Sequence, residues 1–285
     1  MRQALTDTHL TAPTRFVEVD GDRFAYRRWG NGSSDQPPIF LLQHFRGGMD
    51  HWDPLMTDGL AAGREVILYN GRGVASSSGT PRRRIEDMAD DAAAVIRALG
   101  LHKVDVLGFS LGGMQAQDLT RRHSQLVRKL MLLGTGPRGG DPAMEPGVLE
   151  AAPRPVPTFE DFVYLFFGLS DDARKSAEHF WERRHQRADQ DTPSSIEVAR
   201  AQIEANMMYL PRLSESDPFA HLREIKQPTF ILNGVNDVMI ATINSFYMAR
   251  NIPDAQLFIY PDCGHAAQFQ CPKRFLHHAI TFLQE

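Results

Sequence analysis

Residues 104–119 read VDVLGFSLGGMQAQDL, an apolar run followed by Gly-Phe-Ser-Leu-Gly and then by an amphipathic stretch. The apolar run predicts a buried strand, and the spacing of the later apolar residues predicts a helix. A serine between two glycines at this junction has two explanations. Either the turn is merely tight, or it lifts Ser110 out of the sheet so that its oxygen can attack another molecule. The pattern Gly-x-Ser-x-Gly fixes only three positions and therefore also occurs by chance. The rest of the chain must decide between the two explanations.

Short, almost continuous apolar runs recur along the chain, as expected of strands that a parallel sheet buries on both faces. They are residues 39–43 (IFLLQ), 65–70 (EVILYN), 128–135 (RKLMLLGT), 229–234 (TFILNG) and 256–260 (QLFIY). Between them, the apolar stripe of residues 84–100 predicts a helix that ends at Gly100. Ahead of them, the alternating patterns of 15–20 and 23–29 predict an antiparallel hairpin. Strands that alternate with helices predict a doubly wound α/β sheet.

The alternation of strands and helices breaks after residue 136. A Pro/Gly-rich segment opens the interval, and no strand is predicted within it. Three helical stretches follow that segment, at residues 158–169, 171–188 and 194–209. Thr158 and Ser194 are the predicted N-caps, because an acidic residue follows each of them by three positions. We therefore predict a helical cap, or lid, inserted into one core domain. The predicted cap is residues 137–217, and the predicted core is residues 1–136 and 218–285.

A serine hydroxyl is a poor nucleophile until a base removes its proton, so a carboxylate and a histidine should follow later strands. Asp237 comes three residues after Gly234, at the end of a predicted strand. His265 lies in the loop after the last predicted strand and is preceded by Gly264. We therefore predict a catalytic triad of Ser110, His265 and Asp237. Three other aspartates are weaker candidates for the carboxylate: Asp217, Asp254 and Asp262.

Stabilising the oxyanion of an acyl-transfer reaction requires preorganised hydrogen-bond donors. One predicted donor is the backbone N–H of Leu111, which follows the serine. The other should come from the loop after the first buried run, where we assign the N–H of Phe45. Next to it, His44 is a candidate substrate-binding residue. Its closeness in sequence to Asp50 and His51 leaves a metal site as a minor alternative.

Taken together, these features resemble the α/β-hydrolase fold family over nearly the whole chain. The segments that carry the resemblance are LLQHFRGGMDHWDP (41–54), ILYNGRGVASSSG (67–79), LGFSLGGMQAQ (107–117), NGVNDVMI (233–240) and CGHAAQFQCP (263–272). The resemblance implies a mostly parallel, eight-stranded, doubly wound sheet with an α-helical cap insertion. The order Ser, Asp, His along the chain is also the order of the family's triad, unlike the orders in trypsin-like and subtilisin-like proteases.

Two positions depart from the family pattern. Gln43-His44 stands where a His-Gly pair is usual, and Asn70 replaces the acidic residue that commonly precedes the arginine-glycine turn. Serine at position 110 argues against haloalkane dehalogenases and epoxide hydrolases of this fold, which use aspartate there. Leu111 argues against prolyl aminopeptidases, which usually carry tryptophan. The remaining resemblance is to small esterases, lactonases, carbon–carbon bond hydrolases and cofactor-free haloperoxidases.

The sequence therefore predicts a serine hydrolase that cleaves a carboxylic ester or lactone of a small, largely hydrophobic substrate through an acyl-enzyme. A haloperoxidase or perhydrolase, or a carbon–carbon bond hydrolase, would use the same triad. The non-enzymatic alternative is a ligand-binding protein on a hydrolase scaffold. Four apolar residues of the cap are candidates for the substrate pocket: Phe162, Phe166, Met207 and Tyr209. We predict no cofactor and no metal ion.

The composition limits the partners that the chain can have. Its 285 residues are 42% hydrophobic and 23% charged, with a net charge of −4, which gives no electrostatic case for nucleic acid or an anionic membrane. No apolar run is long enough to span a bilayer, and the N-terminal residues lack a signal-peptide core. The two cysteines, Cys263 and Cys271, exclude a disulfide scaffold and fit a reducing compartment, although they leave one bridge open. We expect a cytoplasmic monomer or homodimer that acts on a small molecule.

Overall fold

The computed structural model describes residues 7–31, 36–154 and 157–285. Eight strands form one sheet in the order β1-β2-β4-β3-β5-β6-β7-β8. The strands are β1 Arg15–Val19, β2 Asp22–Trp29, β3 Ile39–Leu42, β4 Val66–Tyr69, β5 Val104–Phe109, β6 Val127–Leu133, β7 Thr229–Gly234 and β8 Ala255–Tyr260. From β4 to β8 along the sheet every pairing is parallel, whereas β1 and β2 pair antiparallel with their neighbours. The predicted α/β fold class is confirmed.

The N-terminal hairpin forms where the alternating pattern predicts it. Asp20 and Gly21 connect its strands with φ angles of 51° and 82°. Two positive φ angles in a two-residue loop are those of the primed turn whose twist matches a hairpin, which aspartate and glycine favour. Residues 32–35, between the hairpin and β3, lie outside the described residues.

Helices cover both faces of the sheet, and a large hydrophobic cluster lies on each side of it. The helices are α1 Pro54–Ala61, α2 Ile85–Ala98, α3 Leu111–Arg122, α4 Val148–Ala151, α5 Phe159–Phe166, α6 Asp171–Arg184, α7 Ile196–Tyr209, α8 Ile243–Asn251, α9 Ala267–Gln270 and α10 Pro272–Gln284. Successive side chains of a strand point to opposite faces, so Leu41 and Leu107 join one cluster while Phe40 and Val106 join the other. The buried strands therefore read as continuous apolar runs.

Between β6 and β7, the described residues contain α4 to α7 and no strand. The three predicted helices are present, with ends shorter than predicted, and α4 is an additional short helix. Stacked rings tie these helices to the core: Phe180 of α6 lies 4.6 Å from Phe269 of α9, between ring centroids. Residues 155–156 of the connecting segment lie outside the described part.

One predicted N-cap is correct and the other is wrong by one residue. Thr158 caps α5 and forms the expected reciprocal pair with Asp161. The cap of α7 is Ser195, whose side chain accepts a hydrogen bond from the N–H of Val198. The hydroxyl of Ser194 instead donates to the carbonyl of Arg46, 2.7 Å away, and so joins the helix to the core.

Within the described chain, no helix has the length and apolar character needed to cross a bilayer. Cys263 and Cys271 are both free thiols, with their sulfur atoms 3.4 Å apart.

Candidate active site

Ser110 occupies a strained turn between β5 and α3. Its φ of 56° and ψ of −119° lie outside the regions that side chains favour, and such conformations concentrate at functional sites. The backbone around the turn is held tightly, because the N–H of Ser110 donates to the carbonyl of Leu133 and Thr135 Oγ1 donates to the carbonyl of Ser110. The turn thus presents the serine side chain at the carboxyl edge of the sheet.

The glycines flanking the serine are required by close backbone approach. A Cβ atom on Gly112 would lie 2.1 Å from the carbonyl oxygen of Leu42, at the end of β3. A Cβ on Gly108 would lie 2.3 Å from the carbonyl of Gly112 itself. A Cβ atom on Gly113 would likewise lie 2.5 Å from the side chain of Thr135. Because these atoms belong largely to the backbone and cannot move aside, the helix reaches the strand only without side chains.

His265 and Asp237 form a buried pair. The imidazole Nδ1 donates to Asp237 Oδ2 at 2.8 Å, and both side chains are 0% exposed. The other carboxylate oxygen of Asp237 accepts the N–H groups of Met239 and Ile240, each at 2.9 Å. Since the carboxylate takes the proton of Nδ1 as its hydrogen bond, the neutral ring keeps a lone pair on Nε2. That atom is buried and has no hydrogen-bond partner in the described part of the chain.

Ser110 and His265 lie at the same edge of the sheet. Gly134 directly follows β6, whose Leu133 carbonyl accepts the Ser110 N–H. A Cβ atom added to Gly134 would lie 2.4 Å from the carbonyl oxygen of His265. The ring of Phe109, next to the serine, lies 5.1 Å from the imidazole. No hydrogen bond joins the Ser110 hydroxyl to His265 Nε2 among the described residues. Such bonds are often long before substrate binds and tighten only in the complex.

Among the described residues, the backbone N–H groups of Leu111 and Phe45 have no hydrogen-bond acceptor. Leu111 begins α3, where the first amides of a helix lack partners. In the loop after β3, the amides on either side of Phe45 are occupied. Gln43 Oε1 accepts the His44 N–H at 2.8 Å, and Gln202 Oε1 accepts the Arg46 N–H at 2.7 Å. The Gln43-His44 departure therefore leaves the Phe45 donor available.

His44 places an imidazole where the family usually has glycine. Its Nδ1 donates to the carbonyl of Phe45 at 2.8 Å, and its buried Nε2 has no partner in the described chain. Burial lowers the pKa of His44 to about 3, and the positive charge of Arg184 acts in the same direction. Because its pKa is low, the imidazole is neutral at neutral pH. Its centroid lies 5.0 Å from that of the apolar ring of Phe166.

A cavity of about 350 Å³ opens above Ser110. Four residues predicted for the site line it: His44, Phe45, Phe162 and Phe166. The imidazole of His265 lies behind the wall that Phe166 forms, with 5.7 Å between the ring centroids. This volume is within the range of small-molecule pockets.

Two residues predicted for the pocket do not line this cavity. Met207 is 66% exposed on the outer side of α7. Tyr209 is 2% exposed, packs with Leu111 and Met88, and lies under the guanidinium of Arg138. The prediction was wrong because α7 docks its Tyr209 side on α2 and α3 and leaves Met207 in solvent.

The residues considered for a metal site have other contacts. Asp50 forms an ion pair with Arg27, and the rings of His44 and His51 meet edge to face at 5.5 Å. Burial lowers the pKa of His51 well below its ordinary value. Over residues 7–31, 36–154 and 157–285, no three metal-binding side chains are grouped to hold an ion.

Sequence reasoning missed several residues that line the cavity, among them Trp181, Arg184 and Asp191. None of them follows a strand or belongs to a recognisable motif. Arg184 stands in the charged stretch ERRHQR, in which nothing distinguishes one arginine from the next. Only the packing of α6 selects which of these side chains faces Ser110.

The described residues place the strained Ser110 turn and the buried His265–Asp237 pair at one edge of the sheet. A family model described as alpha/beta hydrolase fold matches residues 37–272. An alpha/beta hydrolase fold protein from Chitinophaga pinensis is similar in structure, with a TM-score of 0.91, 35% identity, and coverage of 98% of this chain and 100% of that one. The chain therefore belongs to the α/β-hydrolase fold family.

Curated relatives are similar at lower identity. A pimeloyl-[acyl-carrier protein] methyl ester esterase from Aromatoleum aromaticum is 28% identical over 84% of this chain and 95% of its own. A 2-hydroxymuconate semialdehyde hydrolase from Pseudomonas putida is 30% identical over 69% of this chain and 68% of its own. The family is thus one of hydrolases with different substrates.

Proposed function

We propose that the protein is a serine hydrolase that cleaves a carboxylic ester or lactone of a small, largely hydrophobic substrate. The observation that carries the proposal is the His265–Asp237 pair, whose unpartnered Nε2 lies at the same sheet edge as the strained Ser110. The apolar walls of the cavity favour a hydrophobic acyl group, and α4 to α7 act as its lid.

In this proposal the reaction begins with proton transfer from Ser110 to His265. As the serine oxygen bonds to the substrate carbonyl carbon, its proton passes to Nε2, and Asp237 stabilises the imidazolium through Nδ1. Collapse of the tetrahedral intermediate breaks the bond to the alcohol, which leaves with the proton from Nε2. Water, deprotonated by His265, then attacks the acyl-serine and releases the acid.

The charge that develops on the carbonyl oxygen needs donors that already point at it. The N–H groups of Leu111 and Phe45 fit this role because neither has an acceptor in the described chain. Losing one such donor typically raises a barrier by about 3–4 kcal/mol. Both are backbone groups, so side-chain substitution does not remove them directly.

A covalent serine probe tests whether Ser110 is activated. We expect a fluorophosphonate to label the wild-type protein at Ser110, to label His265→Ala weakly and to leave Ser110→Ala unlabelled. Melting temperatures of all three proteins serve as the folding control. A folded wild-type protein that takes no label favours a ligand-binding role instead.

A substrate panel then separates the reactions that the same residues could perform. We expect turnover of acyl esters or lactones that is lost in Ser110→Ala. The panel includes β-diketones, for carbon–carbon bond hydrolysis, and acetate with hydrogen peroxide, for perhydrolysis. Faster Ser110-dependent turnover in either of those arms than on every ester and lactone contradicts the proposed substrate class.

A further inference from the structure

Arg184, the last residue of α6, lines the cavity together with Ser110. Its guanidinium forms no hydrogen bond or ion pair with the described residues, and its Nε is buried without a partner. The contacts it makes are with aromatic rings: Trp181 at 5.1 Å and Phe162 at 5.6 Å from the ring centroids. Burial lowers the pKa of Arg184 to about 10, so the group still carries its charge at neutral pH.

Arg184 is half-buried, and a cation taken partly out of water without an acceptor is costly; the carboxylates near the cavity do not relieve it. Asp50 is bound by Arg27 and by the backbone N–H of Asp191. Asp191 itself accepts the hydroxyl of Ser76 and the N–H of Thr192. Both carboxylates are therefore held by other donors, although Asp50 lies close enough to raise the pKa of Arg184.

The neighbouring arginine shows what an ordinary structural arginine does here. Arg183 binds Asp53 through two bonds, Nε to Oδ1 at 2.9 Å and Nη2 to Oδ2 at 2.7 Å. Arg46, also on the cavity wall, donates from Nη1 to the carbonyl of Arg154. Among the arginines of the cavity and its surroundings, Arg184 has donors aimed at no protein acceptor in the described chain.

Two aromatic rings lie between this cation and the His265 imidazole, and both line the cavity that Ser110 also lines. Phe162 lies under Arg184 and stacks on Phe166 at 4.5 Å, and Phe166 in turn borders His265. A molecule bound along these rings would meet the Arg184 donors at one end and Ser110 at the other. A planar guanidinium pairs best with a carboxylate, through two parallel hydrogen bonds.

We infer that Arg184 binds a carboxylate of the substrate, at the end remote from the carbonyl that Ser110 attacks, with an apolar chain or ring between them. This inference rests on the proposed function, whose substrate class it narrows to monoesters of dicarboxylic acids and compounds of the same shape. Arg184 is then a specificity-determining residue.

Matched ester pairs test the inference. The 4-nitrophenyl monoesters of glutarate, adipate and pimelate each carry a carboxylate, and 4-nitrophenyl valerate, hexanoate and heptanoate are their uncharged counterparts. For the best chain length, we expect wild type to prefer the charged ester by kcat/KM. Arg184→Met should lower the ratio of charged to uncharged kcat/KM at least about 30-fold, mainly through KM. Arg184→Lys should recover part of it, since it restores charge without the planar pair of donors.

The control is Arg200→Met, which removes the same charge from an exposed position on α7 and should leave the ratio unchanged. Equal ratios in wild type and Arg184→Met, with both esters cleaved, would overturn the inference and leave the proposed function standing. Arg184→Gln and melting curves guard against a folding defect.

A binding measurement decides the question even without hydrolysis. Calorimetric titration of monomethyl adipate into Ser110→Ala should show binding that is at least about 30-fold weaker in Ser110→Ala/Arg184→Met. Equal affinity of the two proteins, or no binding to either, contradicts the carboxylate site. Absence of ester cleavage in wild type contradicts the proposed function instead.

Discussion

The sheet edge around Ser110 and the helices α4 to α7, here called the cap, place their side chains by different rules. At the sheet edge, Ser110, Asp237 and His265 each follow a strand, and parallel strands bring their carboxyl ends together. In the cap, neighbouring positions have unrelated environments: Arg183 binds Asp53, whereas Arg184 faces the cavity. One residue along a helix turns a side chain by about 100°, so its surroundings depend on how the helix docks.

The difference teaches where each part of the chemistry is encoded. The arrangement around the serine follows from connectivity and from glycines that permit close backbone approach. The shape and charge of the cavity follow from the docking of amphipathic helices, which tolerates many sequences. We therefore expect substitutions at the sheet edge to alter the chemical step, and substitutions in the cap to alter stability or substrate preference.

The largest effect should come from Asp237→Asn at the sheet edge. An amide in this place can donate to Nδ1 of His265, which would move the ring proton to Nε2 and remove the base. We expect kcat on the best ester of the panel to fall about 10⁴-fold, with KM changed little. Steady-state kinetics and a melting curve provide the measurement, and a loss of under tenfold in a folded variant would exclude Asp237 as the orienting carboxylate.

The next largest effect should come from breaking the ion pair between Arg183 of the cap and Asp53 of the core. Arg183→Met leaves the carboxylate of Asp53, which is 0% exposed, without its cation. We expect the free energy of unfolding in urea to fall by about 2 kcal/mol, since the arginine is itself only partly exposed. Arg174→Met, on the same helix α6, breaks only an exposed ion pair with Glu160 of α5 and should leave the free energy of unfolding almost unchanged. Equal costs would mean that Arg183 is no more important to the junction than a surface charge.

Much of the fold was predictable because the buried runs were almost continuously apolar and alternated with helical stretches. The same property predicted where Ser110, Asp237 and His265 lie, since each comes directly after such a run. The role of Phe45 as an oxyanion donor stays a prediction, with which its amide is compatible because it has no acceptor among the described residues.

The cap was predicted only as helices, and its errors have a common cause. Tyr209 and Met207 were both candidates for the pocket, yet one packs against Leu111 and the other is in solvent. Ser194 and Ser195 are chemically identical as caps, and a tertiary bond from Ser194 to Arg46 decides between them. These outcomes depend on contacts between distant segments, which local periodicity does not contain.

His44 is an unusual side chain at the sheet edge, and its lowered pKa should make the free energy of unfolding depend on pH. Its pKa in the folded protein is about 3, against about 6.5 when unfolded. Below pH 6.5 the His44 imidazole binds a proton in the unfolded chain but not in the native protein. Its contribution to the free energy of unfolding is therefore complete above that pH and is lost progressively as the pH falls toward 3. The expected contribution is about 1.4 kcal/mol per pH unit.

The variant His44→Leu should therefore flatten the pH dependence of unfolding. Between pH 6 and pH 4.5, we expect the slope of its unfolding free energy to be smaller than wild type by about 1.4 kcal/mol per pH unit. His9, His51 and His221, whose pKa values burial also lowers, contribute to the remaining slope in both proteins. An unchanged slope in urea titrations would show that His44 titrates normally in the folded protein.

The smallest effect should come from the cap alone, at Ser195. Its side chain satisfies the N–H of Val198 in the first turn of α7, so Ser195→Ala should cost about 1 kcal/mol of unfolding free energy. Ser176→Ala is the matched control, because that serine is exposed within α6 and bonds the carbonyl of Asp172, four residues back. Alanine suits a helix interior better than serine, so the control should be neutral or slightly stabilising. If the two variants unfold at the same urea concentration, the N-terminus of α7 depends on the hydrogen bond from Ser194 to Arg46 and not on the N-cap at Ser195. Even the first turn of α7 would then depend on a contact with a distant segment rather than on its local sequence.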